Sequence, residues 1–62
     1  MREKFLTYMN TIGIRYAITY AKYHGISLAV VHLWITTAEP TISAAHMDDV
    51  TVMYHRVHIP VA

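Results

Sequence analysis

Histidine is the residue type best suited to chemistry in this chain: His24, His32, His46, His55 and His58 stand among 62 residues that include no cysteine. A neutral imidazole can ligate a metal ion or relay a proton near neutral pH, so spacing decides whether any two could act together. His55 and His58 lie three apart, which would put both on one face of a helix but on opposite faces of a strand. The segment around them, Val50 to Ile59, reads VTVMYHRVHI. It is rich in β-branched and aromatic residues, preceded by Asp48-Asp49 and closed by Pro60, and so reads as a strand. That splits the pair. His24, His32 and His46 show no paired spacing, and without thiolates a structural zinc site is not expected.

The remaining reactive groups are dispersed. Glu3, Glu39, Asp48 and Asp49 are the only carboxylates, and none is spaced as an acid–base pair. Neither a nucleophile elbow nor a glycine-rich phosphate loop occurs. Asp48-Asp49 reads as a solvated loop or as a charged guard before a strand. The expectation is a protein that is not an enzyme and takes no metal or other cofactor.

Contact chemistry is better represented. From Arg2 to His24, the side chains Phe5, Met9, Ile12, Tyr16, Tyr20 and Tyr23 recur at steps of three and four, the stripe of a helix over about 2–24. Lys4, Thr11, Arg15 and Lys22 gather on another side, and Leu6, Ile14, Ala17 and Ala21 form a second apolar flank. The apolar arc is wider than one small core requires. Gly25 after Lys22-Tyr23-His24 is a helix stop, whereas Gly13 costs about 1 kcal/mol in a helix interior and marks a candidate kink. Ser27 to Thr37, SLAVVHLWITT, is a short apolar run compatible with helix or strand. Ser27 as an N-cap behind the Gly25 turn favours a helix over 27–37, which Pro40 ends. Thr41 to Asp49 holds a helical turn around Ala44 and Ala45 or is loop.

These elements predict a single α+β domain over 1–62: two helices, at about 2–24 and 27–37, and one strand at about 50–59. A lone strand needs a partner. Chains of this size bury only about 60% of their unfolded surface, and with disulfides excluded the available staple is a second copy. The expected assembly is an intertwined homodimer whose strand pairs with its own copy across a two-fold axis. Phe5, Met9, Ile12, Tyr16, Tyr20, Tyr23, Leu33, Trp34, Val50, Val52 and Tyr54 would form the shared core or interface. Any uncovered part of it would be a groove for a partner's amphipathic helix.

Composition sets the outer limits. Charged residues make up 15% of the chain, hydrophobic ones 55%, and the formal net charge is +1, which fits neither a disordered chain nor a nucleic-acid-binding tail. The longest uncharged stretch, Gly25 to Ala38, is shorter than the roughly 20 residues of a membrane span. A signal peptide with Ile26 to Ile35 as its apolar region and cleavage at Thr36-Thr37-Ala38 would leave too little to fold, so a cytoplasmic protein is expected.

One local pattern is more specific. Ala21-Lys22-Tyr23-His24-Gly25-Ile26-Ser27-Leu28-Ala29-Val30-Val31-His32-Leu33-Trp34 resembles the helix-turn-helix of Cro-like phage repressors. Ala21 stands at the close helix contact, Gly25-Ile26-Ser27 at the turn, and Val31 and Trp34 at the anchors of the second helix. The resemblance implies that the helix after Gly25 enters the major groove, with Lys22, Ser27, Leu28 and His32 as DNA contacts. This chain departs from the pattern where bases are read, since Leu28, Ala29, His32 and Leu33 replace the usual polar set.

As a whole, the chain also looks like the short early accessory proteins of lambdoid temperate phages. That resemblance implies a non-enzymatic regulator, in the host cytoplasm, that binds another protein to favour lytic development. Protein binding through an apolar aromatic groove is thus the leading expectation, and a Cro-like DNA-binding regulator the alternative.

Overall fold

The structure is a computed structural model that describes residues 1–58. Four helices follow one another: α1 (Arg2–Thr11), α2 (Ile14–Tyr23), α3 (Leu28–Ala38) and α4 (Ala44–Arg56).

The break between α1 and α2 is made by Gly13, which sits at φ 141°, ψ 158°, a region only glycine enters freely. The amides of Ile12 and Gly13 both donate to the Tyr8 carbonyl, closing α1, while the Gly13 carbonyl accepts from Ala17 and opens α2. One expected helix over 2–24 therefore becomes two that fold back and pack on each other.

The turn between α2 and α3 has a different construction. Gly25 adopts φ 74°, its amide donates to the Lys22 carbonyl, and the Ile26 amide reaches back to Ala21 at 3.0 Å. This is a Schellman ending, in which a left-handed residue lets two amides satisfy the last carbonyls of a helix. The accompanying apolar contact is present, since Ala21 and Ile26 are both buried. Ser27 then caps α3, its hydroxyl oxygen accepting from the Val30 amide at 3.4 Å. The helix expected over 27–37 is thus found with its bounds shifted by one residue.

The strand expected at 50–59 is not found: its described residues lie in α4 and in the two positions after it, and Ile59 falls outside the described residues. Among the described residues there is no strand, so the fold is all-helical rather than α+β, and the expected pairing of a strand across a two-fold has no strand to make it. The physical reason is visible at both ends of α4. Ser43 caps it through a 3.1 Å bond from the His46 amide, and Lys22 binds the carbonyls of Tyr54 and Val57 at its far end. Between them Met47, Val50, Tyr54 and Val57 recur at helical steps and turn inward. A strand would put Val50 and Val52 on one face, whereas here Val50 is fully buried and Val52 is 48% exposed. Inward packing against α2 and α3 outweighs the β-propensity of single residues.

The core draws on every element: Phe5 from α1, Ala17, Ile18 and Ala21 from α2, Ile26 from the turn, Val31 and Ile35 from α3, and Val50 from α4. No helix among the described residues is long and apolar enough to cross a membrane.

Candidate functional site

Two exposed regions have the geometry of a site. The first is the outer face of α3 with the turn that presents it. Ala21, Gly25, Ile26, Ser27, Val31 and Trp34 each occupy a position with a structural role. Ala21 has no exposed surface, so the polypeptide can turn tightly behind it, and Gly25 supplies the positive φ. Val31 is fully buried, and the Trp34 ring packs on Phe5 with centroids 5.5 Å apart. The turn is also braced from outside, because the Tyr54 hydroxyl donates to the Ile26 carbonyl at 2.7 Å.

What α3 presents outward is apolar. Ala29, Val30, Leu33, Thr36 and Thr37 are exposed, Leu33 at 60%. The threonine hydroxyls bond within their own helix, Thr36 to the His32 carbonyl at 2.8 Å and Thr37 to the Leu33 carbonyl at 2.7 Å. Their hydroxyl protons are thus held by the helix's own backbone. The face carries no charge.

The four residues marked for DNA contact are distributed unevenly. Ser27 is exposed and caps α3, and Leu28 is half-buried. Lys22 instead crosses to α4, where its ammonium donates to Tyr54 and Val57 at 2.8 and 3.0 Å and lies 4.8 Å from the Tyr54 ring centroid. His32 Nε2 shares a 2.9 Å hydrogen bond with the Thr51 hydroxyl of α4. Both side chains therefore connect helices.

The residues marked as an interface are likewise divided. Phe5 and Val50 lie in the core of the single chain, while Met9, Tyr20, Trp34 and Tyr54 are half-buried around it. Ile12, Tyr16, Tyr23, Leu33 and Val52 are exposed, on four different elements or their junctions. Tyr8 was missing from the expected stripe, yet its ring meets both Tyr16 and Tyr20 edge-on at 5.1 Å. Tyr20 in turn meets His24 with centroids 4.5 Å apart and the rings tilted by 50°. Tyr8 joins this ladder only because Gly13 folds α1 back on α2, which a continuous helix would forbid.

The second region is an open groove of about 340 Å³ between α2 and the end of α4. Arg15, Thr19 and Tyr23 line one wall, at successive turns of α2, and Met53, Arg56, Val57 and His58 line the other. A smaller hollow of about 210 Å³ adjoins it, sharing Thr19 and Tyr23 and adding Tyr16, Tyr20 and His24. Sequence reading missed this groove because it placed 50–59 in a strand; as a helix, the same segment brings Arg56 toward the Arg15 side of α2.

The histidines do not assemble. His55 belongs to the last turn of α4 and His58 follows the helix, and among the described residues no three potential metal ligands come together. Comparisons with protein families, curated proteins and solved structures found no match to this chain.

Proposed function

We propose that this chain is a small helix-turn-helix regulator that engages duplex DNA through α3. The observation that carries the reading is the coincidence of motif and structure: Ala21, Gly25, Ile26, Ser27, Val31 and Trp34 stand at the contact, turn, cap and anchor positions of a helix-turn-helix, and each fills that role. A face of alanine, leucine and threonine methyls suits apolar contact with thymine methyl groups rather than hydrogen bonding to guanine. Sequence selectivity should accordingly be modest and biased toward A·T-rich sites. A second copy would place two such helices on adjacent half-sites.

The test is fluorescence anisotropy with labelled A·T-rich and G·C-rich duplexes over a range of salt concentrations. Tighter binding to the A·T-rich duplex, weakening as salt rises, is the expected result. No binding to either duplex at low salt would remove the reading.

A second reading keeps the expected regulator that binds another protein. It is favoured by the 60% exposure of Leu33 at the centre of an uncharged helix face, which suits an apolar partner surface as well. Leu33→Arg separates the two: it strengthens binding to DNA and weakens binding to an apolar partner.

A further inference from the structure

The groove between α2 and the end of α4 has a chemistry unlike the rest of the surface. We propose that it is a binding site for a small aromatic monophosphate, whose phosphate is held between Arg15 and Arg56 and whose ring lies against Tyr23. The proposal goes beyond the helix-turn-helix reading and does not depend on it.

Charge is the first argument. The chain carries five lysines and arginines against four acidic side chains, yet two arginines and a histidine line this groove, with no acidic side chain among the described lining residues. Arginine is the side chain whose planar fork matches phosphate oxygens two at a time. A dianion there gains two such partners, and no described lining residue is acidic.

Shape and apolar content are the second. About 340 Å³ falls in the range of small-ligand sites, far below what a docked helix needs. Met53 and Val57 supply an apolar wall, and Tyr23, 55% exposed among the described residues, presents a large ring at the groove. An aromatic ring stacked there removes that surface from water.

The groove is also built, which is the third argument. The two bonds from Lys22 to the Tyr54 and Val57 carbonyls clamp the end of α4 onto α2, and so hold Arg56 and Val57 opposite Arg15 and Tyr23. Arg15, Thr19 and Tyr23 lie on the side of α2 opposite Ala17 and Ala21, which face the core. The groove therefore lies behind the helix-turn-helix, away from the residues that fix α3.

The experiment is an NMR titration of the isotopically labelled full chain with phenyl phosphate, with inorganic phosphate and phenol as the two halves of the ligand. Amide shifts are expected to concentrate in residues 15–23 and 53–58, with phenyl phosphate binding at least tenfold tighter than either half. The double variant Arg15→Gln/Arg56→Gln, both residues exposed, should keep its amide spectrum outside the groove and bind at least tenfold more weakly. Adenosine monophosphate and O-phosphotyrosine as further probes then identify the source of the ring, tighter binding of either to the same residues supporting the site. Inorganic phosphate binding as well as phenyl phosphate, undiminished binding by the double variant, or shifts centred on residues 27–33 would each overturn the proposal.

Discussion

The outer face of α3 and the groove behind α2 are both open to solvent, yet they are built on opposite plans. Along α3 the exposed residues are alanine, valine, leucine and two threonines whose hydroxyls bond to carbonyls of their own helix, so the surface is uncharged and rich in methyl groups. The groove gathers two arginines, a histidine and a tyrosine around an apolar wall. The first can select by shape and methyl contact over an extended surface; the second can hold a compact anion. A chain with only five lysines and arginines has separated them from the helix that its motif would place against DNA. The lesson is that α3 would add little electrostatic attraction of its own, so sequence selectivity there must rest on close fit, while the salt-dependent part of binding comes from charges outside this face.

Both regions hang on one core, and removing its largest side chain should abolish the distinction. Phe5 is fully buried and packs on Trp34 of α3, so Phe5→Ala should cost about 3–5 kcal/mol. That is comparable to the whole stability of a domain this size, roughly 3–9 kcal/mol. Circular dichroism should show a largely unfolded chain at 37 °C, with DNA and phenyl phosphate binding lost together. Loss of one without the other would show that the two faces do not share a foundation.

Smaller changes should separate them. Lys22→Met removes two charge-assisted hydrogen bonds to the end of α4 and should cost about 2 kcal/mol. In NMR titrations below the unfolding transition, it should weaken phenyl phosphate binding at least tenfold and leave the amides of α3 where they are. Tyr54→Phe acts at the other brace. It leaves the carbonyl of buried Ile26 without its 2.7 Å partner and should cost about 1–2 kcal/mol. Hydrogen exchange should quicken in residues 26–31 ahead of the groove, marking the turn as the part that Tyr54 holds.

How much of this was legible differs sharply between the two serine-capped helices. At α3 the apolar run was compatible with helix or strand, and the Gly25 turn with Ser27 as its cap tipped it to the helix that is found. At α4 the signals conflicted. Val50, Thr51, Val52 and Tyr54 have high β-propensity, and this obscured the cap at Ser43 and the inward spacing of Met47, Val50, Tyr54 and Val57. Reading that spacing before residue type would have found the helix. The groove then followed from the same error, since its second wall exists only if 53–58 continue from a helix. The role of Lys22 was hidden for a different reason: its partners are backbone carbonyls more than 30 positions away, and carbonyl acceptors leave no trace in a sequence. At Gly13 the signal was present as a helix-breaking residue, but only its φ of 141° distinguishes a kink from a full reversal.

The central claim is that α3, held by the Gly25 turn, is a DNA-contacting face. The most direct measurement compares the wild-type chain with Leu33→Glu in anisotropy titrations of one A·T-rich duplex at 50 and 200 mM salt. Leu33 is exposed, so the variant should melt within a few degrees of wild type. The account predicts wild-type binding that weakens with salt and a loss of at least tenfold in the variant, from a carboxylate placed against the phosphates. Equal binding by the two chains, or wild-type binding indifferent to salt, would contradict it.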